Sequence, residues 1–136
     1  MLAERGVIMR STISVLLILI FAKFILVSDI FASEANERLL LKLYQEEKMS
    51  YDLLGEYYER WQLEVFNSVR SRDAKQVWCV DKVLGKYGYE NINSPDAGIF
   101  SDYRIQKIYN ELSIKGCISD LSALEAAAYI KERSIS

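Results

Sequence analysis

The sequence has no histidine, one proline, six glycines and two cysteines among its 136 residues. Without imidazole there is no histidine base, nucleophile or metal ligand, and the reactive inventory reduces to carboxylates, lysines, tyrosines and two thiols. So few prolines and glycines leave out the turn punctuation that a fold of many short strands requires, and long helices are the expectation. The cysteines, Cys79 and Cys117, form no C-x-x-C spacing, which removes the usual zinc and dithiol redox motifs. Positive charge is not concentrated either. With 17 basic and 19 acidic residues, a net charge of −2 and a pI near 5.3, the surface lacks the basic patch that gathers phosphates, and nucleic acid is not an expected partner.

What is present fits one globular domain. About half of the residues are hydrophobic and 26% are charged, a balance unlike that of a disordered tail. The first 35 residues read separately. Arg5 and Arg10 precede an apolar run from Ile13 to Ala22, and small residues follow at Ala32, Ser33 and Ala35. That order is the pattern of an export signal, with cleavage after Ala32 or Ala35. An uncleaved anchor from Ile13 to about Ala32 is one alternative, just long enough to span about 30 Å of hydrocarbon, and a buried globular helix is another. Lys23 and Asp29 weigh against the anchor, because charges inside a span are costly. The signal and the anchor both place the domain from residue 36 onward outside the cytoplasm. Three basic and three acidic residues fall in the first 35, so 14 and 16 remain from Asn36 and the domain stays nearly neutral.

From Leu40, residues Tyr44, Glu47, Tyr51, Leu54, Tyr58 and Trp61 share one helical face, predicting a helix over about 36–61. A second stripe, Phe66, Val69, Asp73, Gln76, Val80, Val83 and Tyr87, predicts a helix over about 66–87, with Gly88 suited to its C-terminal cap. Glu47 is the polar exception on the first stripe, and Asp73 and Gln76 are the exceptions on the second. Tyr89–Gly98 is rich in turn-forming residues and reads as a crossover. Ser101 or Asp102 then caps a short helix through Ile105, Ile108, Tyr109 and Leu112 that Gly116 ends. Ser119 or Asp120 caps a last helix through Leu121, Leu124, Ala128 and Lys131. The expectation is all-α: two long helices, a short crossover helix and one further helix.

A series of short motifs begins with Glu46-Glu47-Lys48 and Asp52, Tyr58-Glu59-Arg60-Trp61 and Val65-Phe66. It continues through Tyr87-Gly88, Gly98-Ile99-Phe100, Leu112 with Gly116, and Ser119 to Ala123-Leu124, Ile130-Lys131-Glu132 and Ile135, covering about Leu43 to Ile135. In this order the motifs resemble a ferritin-like family known as domain of unknown function 2202. The resemblance implies a bundle whose interior carries a carboxylate from the first helix, a Glu-x-x-His pair from the second, carboxylates from the third and a further Glu-x-x-His region from a fourth. In ferritin-like proteins such residues hold paired metal ions.

Carried over position by position, those ligands fall on Glu47, on Asp73 and Gln76, and on Lys131 and Glu132, with Lys131 as the inward member of the last pair. No residues remain to correspond to the fourth helix, so the resemblance implies a ferritin-like antiparallel helical bundle that is incomplete. About three carboxylates and no imidazole are a poor set for iron or manganese, and too few oxygens for calcium. The resemblance therefore implies vestigial ligand positions, with no metal and no cofactor. Two arrangements stay open: a solvated edge of the bundle, or a Lys131 ammonium in the space vacated by metal, paired with Glu47 and Asp73.

In an exported domain the even pair of cysteines suggests a disulfide between Cys79 and Cys117, against the alternative of two separate thiols. Functionally, a non-catalytic structural or interaction module is expected, which self-associates or docks on another helical protein. The alternative is a metal-binding, possibly oxidoreductase, domain completed by oligomerisation.

Overall fold

The computed structural model describes residues 33–135, and all regular structure among them is helical. The expected export segment before Ser33 lies outside the described residues. Helix α1 covers residues 33–61, α2 Glu64–Lys86, α3 Tyr103–Gly116 and α4 Asp120–Ile135. The four expected helices are therefore present, with boundaries within a few residues of the predicted ones.

Local chemistry explains where each helix stops and starts. Gln62 turns the chain between α1 and α2 at a positive φ of 54°, and its side-chain amide donates to the carbonyls of Tyr58 and Glu59. Those bonds satisfy carbonyls that the end of α1 would otherwise leave open. At the end of α2, Gly88 takes a φ of 73°, where a side chain is strained. Its N–H reaches the Gly85 carbonyl and that of Tyr89 reaches Leu84, the paired pattern of a Schellman motif. Asp102 caps α3 by accepting from the Arg104 N–H at 2.7 Å, and the Ser119 hydroxyl accepts from Ser122 at 3.0 Å to open α4.

Contacts fix the directions of the helices. Tyr57 meets Phe66 and Ser50 meets Asp73, so α1 and α2 run antiparallel. Gln45 bonds Asp102 and Tyr57 bonds Leu112, so α3 runs alongside α1 in the same sense. The crossover between them is clasped by a buried pair. Lys48 donates to Asp52 at 2.7 Å and to the Asp96 carbonyl at 2.6 Å, while Asp52 accepts from the Gly98 N–H at 3.0 Å.

The core joins Met49, Leu53, Leu54 and Tyr57 of α1 to Phe66 of α2, Phe100 of the crossover, Ile105, Tyr109 and Leu112 of α3, and Ala123, Ala126 and Ile130 of α4. Three stripes need correction. On α1 the fully buried face lies beside the expected one, with Tyr58 and Trp61 half-buried at its margin. On α2 the buried residues are Phe66, Asp73, Val80 and Leu84, whereas Gln76, Val83 and Tyr87 are exposed. A straight helix drifts by about 20° per heptad, so the face that begins at Phe66 returns at Leu84 and leaves Tyr87 behind. On α4 the inward residues are Ala123, Ala126 and Ile130, while Leu121 and Leu124 face outward. Small side chains let that helix approach closely, and they carry little signal in a hydrophobic pattern.

The end of α3 is gripped by aromatic side chains of α1. Tyr57 donates to the Leu112 carbonyl and Trp61 to the Gly116 carbonyl, both at 2.8 Å. A Cβ on Gly116 would lie 2.1 Å from the Tyr57 ring, so glycine is required there by close approach. Gly116→Ala is expected to cost about 1–3 kcal/mol by overpacking. Urea denaturation checks this, and an unchanged midpoint would mean that the ring has room to move.

Candidate functional site

The polar positions singled out in the sequence separate into an inner and an outer group. Asp73 is buried, 1% exposed, in the apolar face of α2, and Glu47 is 8% exposed on α1. Lys131 reaches in from α4 and places its ammonium 2.6 Å from Asp73 Oδ1, while the Ser50 hydroxyl of α1 donates to Asp73 Oδ2, also at 2.6 Å. Three helices thus meet on one carboxylate. The Lys131 side chain is 32% exposed, so its stem lies along the surface and its charged end lies inside. Glu47 completes the group without a direct bond to the ammonium, and its Oε2 is buried with no hydrogen-bond partner.

Gln76 and Glu132 belong to the outer group. Both are exposed, Gln76 because it sits about 80° around α2 from Phe66 at about 100° per residue. The expectation that Gln76 faces the interior is corrected. The stripe used to place Lys131 inward is also not the buried one, yet its long side chain crosses to Asp73 from the flank of α4. Ser50 was missed in the sequence. A small hydroxyl inside an amphipathic helix gives no periodic signal, and only the facing Asp73 gives it a role.

Electrostatics follows from burial. Desolvation pushes the Glu47 carboxyl above its ordinary 4.5; Asp73 and Glu46 add to the rise, and the Lys131 charge opposes it. A carboxyl raised in the folded state takes up its proton earlier on acidification than the unfolded chain does. The penalty of the buried charge is therefore present above the raised value and relieved as pH falls towards 4.5. Glu47→Gln is expected to be more stable than the parent at pH 8, with the difference vanishing near pH 4.5. Denaturation midpoints across that range check the sign, and an advantage that grows on acidification would contradict it.

The donor set does not suit a dinuclear metal centre. Asp73 is paired with the Lys131 ammonium, Glu47 is buried near both, Gln76 and Glu132 are exposed, and no imidazole exists. Among the described residues no three histidine, cysteine, aspartate or glutamate side chains form a group that could hold a metal ion. The thiols are apart as well: Cys79 and Cys117 are both free and exposed. Cys79 lies on the outer surface of α2 and Cys117 follows the last turn of α3, so the bridge expected from the sequence is not formed in this structure.

Two concavities complete the surface. One of about 410 Å³ is lined by Glu56, Tyr57, Glu59, Arg60, Ser113 and Cys117. In it Glu56 accepts from Tyr109 and Ser113, and burial raises its carboxyl. The other, about 360 Å³, is a groove between α1 and α2 lined by Tyr44, Tyr51, Ala74, Val77, Trp78 and Asp81.

The family model described as an uncharacterized protein domain, DUF2202, matches residues 36–136. The chain belongs to this family. The DUF2202 match spans all four helices except the first residues of α1. The chain is 27% identical over 104 residues to the uncharacterized protein MJ0754 of Methanocaldococcus jannaschii, covering 76% of this chain and 56% of that protein. The crystal structure of that hypothetical protein superposes with a TM-score of 0.66 at 26% identity, covering 69% of this chain and 54% of the other. This DUF2202 chain therefore spans about half the length of the relative that it matches.

Proposed function

We propose that this DUF2202 domain is a non-catalytic, ferritin-like helical module in which fixed positive charge stands where related bundles seat metal. The observation that carries the reading is the contact of Lys131 Nζ with Asp73 Oδ1 at 2.6 Å, between α2 and α4, near Glu47, whose Oε2 is buried without a hydrogen-bond partner. A lysine so placed neutralises one carboxylate and lessens the field on the other, which is the electrostatic task of a cation in such a bundle. It cannot change oxidation state or open a coordination position.

The module works through its surface, by self-association or by docking on another helical protein, and is displayed outside the cytoplasm after export. Large apolar side chains remain exposed on all four helices, among them Leu39 on α1, Trp78 on α2, Ile114 on α3, and Leu121 and Tyr129 on α4. Exposed apolar area of this kind usually marks a contact. Elemental analysis of the purified domain, together with its molar mass in solution, tests the reading. Less than a tenth of a transition-metal ion per chain, and a species larger than one chain, are expected. Stoichiometric iron or manganese would overturn the first part, and a monomer at every concentration would overturn self-association.

A further inference from the structure

The aromatic groove between α1 and α2 is bounded along α2 by charges of opposite sign. Its lining ends at Asp81 on one side, and Arg70 lies one turn of α2 before Ala74 on the other. At about 100° per residue, Arg70, Ala74, Val77, Trp78 and Asp81 fall within about 100° of one another around the helix, on one flank. We propose that this flank pairs with the same flank of a second copy about a two-fold axis, the two α2 helices lying antiparallel. The inference rests on the self-association proposed above and names its surface.

Charge is the first observation that points to a second copy. The Arg70 guanidinium lies 4.4 Å from the centre of the Tyr51 ring and donates to its hydroxyl at 3.2 Å. Its Nε has no hydrogen-bond partner, and no carboxylate among the described residues pairs with it. Asp81, about 16 Å further along the helix, is exposed and accepts only from the Asn91 amide among the described residues. A two-fold axis midway between these positions reverses one α2 against the other. Arg70 of each copy then faces Asp81 of the other, so a single flank carries both halves of an ion pair that forms twice. That self-complementarity is the requirement of an isologous contact. An unrelated helix would have to bring its own cation and anion at the same spacing.

Shape is the second. Ala74 and Val77 lie on either side of the axis, and the exposed alanine lets two helices approach closely. Trp78 stands beside them with 60% of its surface exposed. Across the axis it lies over the second copy's Ala74, where the small side chain leaves room. Tryptophan is among the residues that most often dominate an interface once water is excluded from around them.

Molar mass in solution over a concentration series, read beside helix content, tests the surface. The parent should form a species of two chains. Trp78→Glu alters an exposed position, so it should keep the helix content and weaken pairing by about thirtyfold or more, the scale of a hot-spot residue. Leu121→Glu, on the outer side of α4, should leave pairing unchanged. Arg70→Glu and Asp81→Arg should each be single chains, because each sets like charges against one another at both contacts. Mixed in equal amounts they should pair, because the mixture restores both contacts with the signs exchanged. Arg70 also packs on α1, where a Cβ at Gly55 would lie 3.0 Å from it, so Trp78→Glu and Asp81→Arg decide the matter if Arg70→Glu fails to fold. A parent pair that survives Trp78→Glu and Asp81→Arg overturns this surface and leaves self-association standing. Folded single variants that do not pair on mixing overturn the antiparallel arrangement. A parent of one chain at every concentration overturns both the surface and the self-association on which it rests.

Discussion

Lys131→Met is expected to lower the unfolding free energy by about 3 kcal/mol, the lower end of the range for removing one partner of a buried pair. The lower end applies because Ser50 still bonds Asp73 and because Lys131 is 32% exposed on its outer side. Methionine keeps most of the stem, so packing changes little and the loss reports the stranded carboxylates. Urea denaturation at neutral pH measures it. The surface pairs offer a contrast: Lys42 with Glu46, Lys107 with Glu111 and Lys115 with Glu125 are exposed, and each is worth about 0–1 kcal/mol. Added salt should weaken those three and leave the Lys131 effect nearly intact. A loss below about half a kcal/mol on Lys131→Met would mean that Asp73 is solvated in spite of its burial.

Tyr57→Ala should cost about 3–5 kcal/mol, the scale for deleting a buried aromatic ring. Tyr57 is 2% exposed, packs edge-on against Phe66 with ring centroids 5.5 Å apart, and donates to the Leu112 carbonyl. Burial raises its hydroxyl well above the ordinary 10, so the group stays a donor at any working pH. The same ring is what a side chain at position 116 would strike. Gly116→Ala and Tyr57→Ala should therefore be non-additive, the second relieving most of the overlap caused by the first. Thermal midpoints of the two single variants and the double variant read this directly, and simple additivity would remove the ring from the account of Gly116.

Much of the fold was legible because the signals were local. Asp102, Ser119 and Gly88 mark helix ends through chemistry that acts within one turn, and each does so in the structure, whereas Gly116, the last residue of α3, is set by its close approach to Tyr57. The faces were less legible. A strict seven-residue reading of α2 keeps Gln76 and Tyr87 inside, whereas helical drift turns both out and brings Leu84 in. On α4 the buried alanines were outshone by Leu121 and Leu124, which are larger and exposed. Gln45, Lys48 and Asp52 gave no signal as core residues, since charged and amide groups become buried only when partners from a distant loop, here Asp96, Gly98 and Asp102, arrive to bond them.

The candidate site was partly readable for the opposite reason. Glu47 and Asp73 stand out as charges on apolar stripes and are buried, although the same criterion also singled out Gln76, which is exposed. Their connection could not be read in that way. Lys131 is 58 residues from Asp73, and Ser50 and Glu47 reach the same place from another helix, so the meeting point depends on how three helices cross. The resemblance put Glu47, Asp73 and Lys131 on one site, and in the structure the Lys131 ammonium lies 2.6 Å from Asp73.

A double-mutant cycle between positions 131 and 73 addresses the central claim most directly, using Lys131→Met, Asp73→Asn and the pair together. If the ammonium is held inside by that carboxylate, the two losses overlap, and the coupling energy should be about 2 kcal/mol, well beyond the scatter of about 0.3–0.5 kcal/mol for independent sites. Losses that simply add would show that lysine and aspartate do not act on one another, and that the centre of this bundle is organised by something else.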